Sequence, residues 1–501
     1  MRALLVTSAG VTCAMALTLP LAAAAAAVPA PDLLTASSRP PSTSPASPGA
    51  GPPAVRAGAA EPAGSTQSLP LAPLAASSDR VAGGAAAQGL PQRDARPFSL
   101  VGVVWDDPDA ELHGTVQVRT RATGTTRWSE WQDVETHNAE HAADPGSAER
   151  EGRTVRGSTA PLWVGDSDGV EVRVRPRSPQ EPDGHEHAEP SERHGSAQPQ
   201  DRVATPVPLP EGLRLELVDP GEDPAPEPAG SAPSGRAAVT PAVFADTPPT
   251  AAVLPDALTA EVAAASAVNA ELAELGATAI PALTRKETLE SVNAAPGAKP
   301  YIGPRPKIIT RKGWGADEKL RERNFAYTKT VKAAFVHHSA TGNNYTCKQA
   351  PSVLRSIYRY HVQSSGWRDF GYNFAVDKCG NIYEGRAGGV SKAVLGAHTL
   401  GFNTNTMGIA VLGSYGGTNP PAAAVTAVSK LTAWKLGLFG ANPKGKVTLV
   451  SGGSNKYKAG AKVSMNVISG HRDGFATECP GARLYKKLGT ARTSSAKLQG
   501  R

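Results

Sequence analysis

Histidines and a cysteine near the C-terminus have the types and spacing of a metal site. His471 and Cys479 lie in "GHRDGFATECPG" (470–481), and the pair His337 and His338 ends an apolar segment far earlier in the chain. Two histidines and one cysteine form a ligand set of catalytic zinc, which keeps its fourth position open for water. Because successive side chains of a strand point to opposite faces, only one histidine of the pair can reach such a metal.

The cysteine count bears on the same site. Cys13 lies in the N-terminal apolar segment, which is expected to be a signal peptide that is removed on export. The exported chain then retains Cys347, Cys379 and Cys479. Three is an odd number, so one thiol is either free or bound to a metal. The surroundings of Cys479 favour the metal, since structural zinc sites normally show closely paired cysteines that this sequence lacks.

The elements that must position these residues follow from the apolar pattern after residue 305. The segments 333–339 and 407–414 are typical of buried strands, and residues 372–377 and 381–385 predict a hairpin. Residues 350–365 have the apolar spacing of a helix. Helices, strands and a hairpin in this mixture predict an α/β domain with a mixed sheet.

Five motifs in a fixed order resemble a known family. They are "IITRKGWGAD" (308–317), "FVHHSATG" (335–342), "GWRDFGYNFAVDKCGNIYEGRAGG" (366–389), "GAHTLGFNTNTMGIAVLG" (396–413) and "ISGHRDGFATECPG" (468–481). Together they resemble the peptidoglycan recognition proteins and the related zinc N-acetylmuramoyl-L-alanine amidases, over about residues 305–490. The resemblance implies zinc-dependent hydrolysis of the amide between N-acetylmuramic acid and L-alanine in peptidoglycan. The N-terminal part also resembles secreted actinobacterial members.

The resemblance assigns roles to individual residues. The implied zinc ligands are His337, His471 and Cys479, and the implied catalytic residues are Tyr372, Thr477 and His398. Tyr372 and His398 would donate hydrogen bonds to the oxyanion of the tetrahedral intermediate. Members that only bind peptidoglycan usually carry serine at the position of Cys479, so the thiolate favours an enzyme. The general base is not identified, with Glu384 and Glu478 as candidates.

Substrate-binding residues are implied in the same way. Gly366, Trp367 and Arg386 accompany a preference for diaminopimelate over lysine at the third stem residue, because an arginine fork can bind the extra carboxylate. The alternative is that Arg386 pairs with an acidic neighbour such as Asp369. His361 is expected to line the groove or to pack beside it.

A disulfide is expected between Cys347 and Cys379. Cys347 follows the first strand and Cys379 lies in the hairpin turn, and in an exported protein such cysteines usually pair.

Composition divides the 501 residues into unlike parts. Of 26 aromatic residues 20 lie after residue 300, so the main core is expected there, whereas the 44 prolines and many alanines are typical of spacers. The predicted organisation is a signal peptide (1–30), a disordered segment (31–96), an all-β, sandwich-like accessory domain (97–176), an acidic linker (177–304), the recognition or amidase domain (305–490) and a basic tail (491–501).

Two features of the N-terminal half are open to more than one interpretation. Four of the seven tryptophans fall in the accessory domain, where they either fill a thin core or stack on sugar rings. His185, His187 and His194 could bind metal weakly, but a solvated linker is the favoured interpretation. A helix is expected within 256–276.

Charge separates the halves further. Residues 301–501 carry 30 Lys+Arg against 8 Asp+Glu, and the preceding 300 carry 22 against 37. A basic folded half favours anionic partners. In a chain with a signal peptide and no other long apolar run, we expect peptidoglycan and anionic wall polymers as partners, with no transmembrane segment. A peptidoglycan-binding protein with little or no activity is the alternative, nucleic-acid binding ranks third, and the sequence does not indicate an oligomeric state.

Overall fold

The computed structural model describes residues 64–74, 87–136, 138, 141–144, 146–147, 150–177, 207–224, 258–292 and 300–501. All of them fall in one unit, Ala60–Arg501. The predicted signal peptide and the cluster of His185, His187 and His194 lie outside the described residues. Among the helices of the described ranges, none combines the length and apolar character needed to cross a bilayer.

Eight antiparallel strands form the sheet of the N-terminal domain. They are β1 (Ser65–Pro70), β2 (Ala72–Pro73), β3 (Gln88–Trp105), β4 (Gly114–Ala122), β5 (Gln132–Val134), β6 (Gly157–Ser158), β7 (Leu162–Pro176) and β8 (Arg214–Asp219). Their order is β1-β8-β3-β7-β4-β5, with β2 and β6 also paired to β3. The all-β prediction is confirmed, although the strands form one continuous sheet rather than two, in which β3 and β7 shift register as at β-bulges.

The predicted boundaries of this domain were wrong at both ends. The segment 31–96, expected to be disordered, contains β1, β2 and the first half of β3, and the linker 177–304 contains β8. Strand β8 pairs with both β1 and β3, and its Leu215 and Leu217 are fully buried. Proline and alanine dominate the surrounding sequence, so these strands stand out only when their pairing partners are known.

A mixed seven-stranded sheet forms the centre of the C-terminal domain. Its strands are β9 (Ala279–Ile280), β10 (Ile308–Ile309), β11 (Ala333–His338), β12 (Phe374–Val376), β13 (Ile382–Glu384), β14 (Thr406–Val411) and β17 (Ile468–Gly470), and β15 (Lys446–Val450) pairs with β16 (Lys462–Asn466) in a separate hairpin. The order of the sheet is β17-β11-β14-β12-β13-β10-β9. Strands β11, β14, β12 and β17 run parallel, whereas β12 and β13 form the predicted antiparallel hairpin.

Eight α-helices accompany the sheets in the described ranges. They are α1 (Ala260–Ala267), α2 (Arg285–Ser291), α3 (Arg311–Trp314), α4 (Ala350–Arg359), α5 (Ala422–Leu438), α6 (His471–Gly474), α7 (Ala482–Tyr485) and α8 (Leu488–Gln499). Helix α4 continues as a π-helical turn, Tyr360–Ser364. The helix expected within 256–276 is present as α1, which begins with Thr259 accepting a hydrogen bond from Val262 N.

The C-terminal domain is larger than predicted. Residues 258–292, expected to be linker, place Ile280 in the main core and pair β9 with β10. The basic tail 491–501 is mostly helix α8, whose Gln499 carbonyl accepts a hydrogen bond from Arg285. Burial of Leu488 and Ala491 explains why this segment is ordered despite its polar composition.

The two domains share a hydrophobic core. Leu100, Val104 and Trp163 of the N-terminal sheet pack with Leu354 and Tyr358 of α4. Just beyond α4, the Tyr360 hydroxyl donates to the carbonyl of Thr159 (3.1 Å). The N-terminal domain is therefore packed onto the C-terminal one.

The tryptophans of the N-terminal domain divide into two pairs. Trp105 and Trp163 are buried in the cores, as the packing interpretation expects. Trp128 and Trp131 are half-buried at the surface, and the guanidinium of Arg119 lies over both rings, 5.6 and 5.1 Å from their centroids. Stacking on arginine therefore accounts for the second pair.

Candidate metal centre

Strand β11 provides the first histidine of the site. It lies between β14 and β17 and is parallel to both, so its backbone is fixed from two sides. His337 and His338 point to opposite faces, as the alternation of a strand requires. The Nδ1 atom of His337 lies 3.8 Å from Cys479 Sγ, whereas His338 Nδ1 accepts a hydrogen bond from the Tyr415 backbone (3.4 Å).

His471 and Cys479 come from the loop that follows β17. His471 is the first residue of α6, directly after β17, and its ring centroid lies 4.5 Å from that of His337. The loop returns to this point because Arg472 N donates to the Cys479 carbonyl (3.0 Å). Thr477 Oγ1 accepts a hydrogen bond from Cys479 N (3.1 Å), so Thr477 holds the backbone of this cysteine in place.

A fourth residue, His141, joins the three that the sequence indicated. It lies in the connection between β5 and β6 of the N-terminal domain, and its Nε2 is 3.7 Å from Cys479 Sγ. The ligand atoms of His141, His337, His471 and Cys479 all lie within 4.8 Å of one another, and all four residues are buried. No sequence signal marked His141, because "HNAEHAADPG" has the composition of an ordinary loop.

This donor set fits zinc. Tetrahedral zinc with bonds of about 2.0–2.3 Å brings neighbouring ligand atoms about 3.3–3.6 Å apart, close to the two sulfur–nitrogen distances of 3.7 and 3.8 Å. Burial, reinforced by His338, lowers the pKa of His141 to about 3. Burial and the neighbouring His471 likewise lower the pKa of His337 well below its usual value. Both imidazoles are therefore neutral at pH 7, which is the form that binds a metal.

Thr399 orients His337 from behind. Its hydroxyl lies 3.4 Å from His337 Nε2 and 3.0 Å from His398 Nδ1. A hydrogen bond to the second ring nitrogen fixes the tautomer and orientation of a metal-binding histidine. The sequence analysis did not single out Thr399, although it lies inside the motif "GAHTLGFN".

His398 lies deep in the domain, next to Thr399. It is fully buried, with Nδ1 beside the Thr399 hydroxyl and Nε2 3.4 Å from the Thr406 hydroxyl. Both ring nitrogens therefore have a hydroxyl neighbour within the domain. The oxyanion role implied for His398 stays a prediction.

Tyr372 lies beside the cluster, and two other predicted residues support it. The Tyr372 ring centroid is 5.2 Å from that of His337 and 5.8 Å from that of His141. His361 stacks on Trp367 with centroids 4.4 Å apart, and its Nδ1 accepts a hydrogen bond from Gly371 N (3.2 Å). His361 and Trp367 are buried and form the wall behind Tyr372.

Arg386 and Gly366 lie on either side of this wall. Arg386 is almost fully buried, and its Nη1 donates to the carbonyl of Leu395 (3.1 Å). After burial itself, the charges of His141 and Arg386 lower the pKa values of both His361 and His398 to about 3. Gly366 has a φ of +78°, and a Cβ there would meet the carbonyl oxygen of Thr154 at 2.2 Å. Glycine is therefore required at this contact with the N-terminal domain.

The two candidate general bases lie in unlike places. Glu384 is buried on β13, where its carboxylate accepts hydrogen bonds from Asn269 Nδ2 (2.8 Å) and Arg311 N (3.2 Å). Burial raises its pKa to about 7, but these partners lie just after α1 and in α3 and do not belong to the histidine cluster. Glu478 is exposed next to Cys479 and lies 3.4 Å from Arg472. Only Glu478 is adjacent to the cluster.

The structure contains the disulfide expected between Cys347 and Cys379. Their Cα atoms are 6.2 Å apart, and 32 positions separate them in sequence. Cys347 begins the short turn before α4, and Cys379 lies in the turn between β12 and β13. The bond therefore ties α4 to the hairpin that follows Tyr372.

Comparison with known proteins places both domains. The family model described as N-acetylmuramoyl-L-alanine amidase matches residues 327–482, and the one described as Rv3811 N-terminal galactose-binding domain-like matches residues 53–200. Peptidoglycan-recognition protein SC2 of Drosophila melanogaster is 31% identical over 185 residues, which are 36% of this chain and 85% of that protein.

A human amidase and a solved structure are also similar to this chain. Human N-acetylmuramoyl-L-alanine amidase is 31% identical over 37% of this chain and 28% of its own length. The structure of Drosophila PGRP-LB has 25% sequence identity and a TM-score of 0.29, covering 36% of this chain and 92% of its own. Because the chain matches 85% of the Drosophila SC2 protein at 31% identity, it belongs to the peptidoglycan recognition protein and N-acetylmuramoyl-L-alanine amidase family.

Proposed function

We propose that the chain is a secreted zinc amidase that hydrolyses the bond between N-acetylmuramic acid and L-alanine in peptidoglycan. The observation that carries the proposal is the convergence of His337, His471 and Cys479, buried and within 4.8 Å, beside Tyr372. Retention of the thiolate ligand favours hydrolysis over binding alone. When bound here, zinc supplies Lewis acidity, which makes water a nucleophile at neutral pH and polarises a carbonyl.

We assign the other catalytic and positioning roles to individual residues of the chain. Tyr372 is placed to donate a hydrogen bond to the oxyanion that forms from the amide carbonyl, a contribution of about 3 kcal/mol for a well-aligned donor. His337 keeps its orientation through Thr399, and Thr477 fixes the backbone of Cys479. Addition of water to the carbonyl and loss of the amine leave a lactyl carboxylate on the sugar and a free amino group on L-alanine. Glu478, which directly precedes Cys479, is a carboxylate that can receive a proton.

Substrate choice and location follow from charge and from the N-terminal sequence. We propose that Arg386 binds the extra carboxylate of diaminopimelate, which lysine lacks. The excess of 30 Lys+Arg over 8 Asp+Glu in residues 301–501 favours adhesion to anionic wall polymers. The N-terminal signal sequence supports export.

Mass spectrometry of purified sacculi tests the proposal. We expect incubation with the protein to release peptides with a free L-alanine amino group, and a chelator to stop their release. Binding to sacculi without such products would favour the peptidoglycan-binding alternative. Absence of products both from the wild type and from a variant that lacks His141, whose ring lies against the cluster, would overturn the amidase proposal.

A further inference from the structure

His141 brings a residue of one domain into the metal centre of the other. Besides its 3.7 Å approach to Cys479 Sγ, its ring centroid lies 4.6 Å from that of His471 and 5.3 Å from that of His337. It is only 5% exposed. A zinc hydrolase uses three protein ligands and keeps the fourth position for water, whereas a site with four protein ligands is closed. Here the fourth donor is present within the folded chain.

The segment that carries His141 also lies over the groove residues. We name the described residues of 135–158 the covering segment. Its Asp144 Oδ1 accepts hydrogen bonds from Gly401 N (2.7 Å) and from Asn403 Nδ2 (2.8 Å). Both partners belong to the motif around His398, so this end of the segment is attached directly to the site.

Further along, the covering segment contacts the residues implied in substrate binding. Arg153 Nη1 donates to the Trp367 carbonyl (2.7 Å), and Arg156 N donates to the Ser365 carbonyl (3.1 Å). The Thr154 carbonyl lies against Gly366, at the close approach described above. A muropeptide cannot reach these backbone groups while the segment is in place.

The space beside His141 and Cys479 is small. The cavity between the domains, lined by His141, His338 and Cys479 among others, has a volume of about 10 Å³. That is the space of roughly one water molecule. Closure by the segment and the position of His141 therefore describe the same state, in which substrate is excluded and a histidine takes the fourth donor position.

We propose that His141 is a fourth zinc ligand and that the covering segment is a built-in inhibitor, so that the chain folds as a latent amidase. The proposal of latency rests on the proposed amidase function, whereas the proposal that His141 is a zinc ligand does not. The contacts described above between the segment and the C-terminal domain are hydrogen bonds and the ring contacts of His141, whereas the two domains share a hydrophobic core. Withdrawal or cleavage of the segment is thus the smaller change, and its residues 151–154 are exposed to a protease.

X-ray absorption at the zinc edge tests the ligand without reference to activity. We expect three imidazoles and one sulfur in the full-length wild type. His141→Ala should retain zinc with two imidazoles and one sulfur, and His113→Ala, at an exposed histidine of the same domain, should match the wild type. Two imidazoles in the wild type would overturn the proposal. Complete loss of zinc from His141→Ala would make the residue an obligatory structural ligand and would equally overturn latency.

The rate at which a chelator removes zinc tests whether the covering segment blocks access to the metal. Removal of zinc by a chelator should be faster in His141→Ala, and in Asp144→Ala, which loosens the segment without changing a ligand. Hydrolysis of sacculi should rise about tenfold or more in both variants, because activity scales with the open fraction. Equal chelation and hydrolysis rates in wild type and variants would overturn latency. If the variants change zinc coordination and chelation rates but no form hydrolyses sacculi, the covering segment still controls access to the metal. The amidase function is then rejected.

Discussion

The metal cluster draws its donors from two regions that hold them in different ways. His337 and His471 are attached to β11 and β17, adjacent parallel strands at one edge of the seven-stranded sheet. His141 lies on a long connection between β5 and β6, where Asp144 accepts a hydrogen bond from Gly401 N and Arg153 donates one to the Trp367 carbonyl. Donors on the sheet can move only if the domain unfolds. A donor on a loop can leave while the domain stays folded, because local opening costs less than global unfolding.

This difference separates the residues that make a site from the residue that controls it. The three donors of the C-terminal domain are those that the resemblance implies as ligands, whereas the fourth comes from the N-terminal domain, outside the residues 327–482 that match the amidase family model. A rigid site combined with a removable donor is suited to regulation. The predictions below test each side of that contrast.

The largest effect is expected from removal of a donor on the rigid side. His337→Ala, His471→Ala and Cys479→Ser should each abolish stable zinc binding and reduce hydrolysis to background, because His141 lies on a loop that can leave the cluster and does not replace a donor of the C-terminal domain. Zinc content after dialysis, measured by mass spectrometry, checks this. His338→Gln is the matched control and should keep its zinc, because the side chain of His338 points to the opposite face of the strand from His337. Near-normal zinc in all three variants would refute the ligand set.

The next effect concerns the frame beneath the rigid donors. Replacement of Cys347 and Cys379 by serine should lower the free energy of unfolding by about 3 to 4 kcal/mol, since the bond closes a loop of 32 positions. Denaturant titration measures the loss, and reduced wild type should behave like the double variant. Zinc content in native buffer should not change. Two free thiols after native alkylation of the wild type would contradict the disulfide.

A smaller effect is expected from the residue that orients His337. Thr399→Val keeps the size of the side chain but removes the hydroxyl beside His337 Nε2, so zinc affinity should fall about 10- to 100-fold. Competition with a chromogenic chelator measures the affinity. Thr432→Val, at a buried threonine of α5 that bonds to Val428, is the control and should leave it unchanged. Equal affinities for the two variants would show that Thr399 does not position the ligand.

The smallest effect is expected in substrate choice. The wild type, or the opened His141→Ala form, should cleave diaminopimelate muropeptides faster than matched lysine muropeptides. Arg386→Lys should reduce that ratio about tenfold, because a lysine ammonium cannot bind the carboxylate with the two parallel hydrogen bonds of the arginine fork. Arg323→Ala, at an exposed arginine, should preserve the ratio. An unchanged ratio in Arg386→Lys would show that Arg386 does not recognise the third stem residue.

The elements of the C-terminal domain were predicted from the sequence more completely than those of the N-terminal domain. The hairpin of β12 and β13 and the buried strands β11 and β14 were predictable, because each carries a strong local apolar pattern. Strands β1 and β8 were not, because each is short, lies among prolines and is stabilised by pairing with the other across about 150 positions. Pairing over that distance leaves no local signal.

The role of His398 shows a second limit. Its motif placed it correctly near the metal, but the direction of its ring depends on the hydroxyls of Thr399 and Thr406. Side-chain direction is decided by packing partners, which a motif does not specify.

By itself, the sequence determined the family, the mixed-sheet fold and three metal donors, because ordered motifs and strand alternation are local properties of the chain. Only the tertiary structure decided that His141, separated by almost 200 positions from His337, completes the cluster. The same holds for the contact of the covering segment with Gly366 and Trp367. Both depend on how one domain packs against another, and that packing arises from a shared hydrophobic core whose residues look like ordinary core positions in either domain alone.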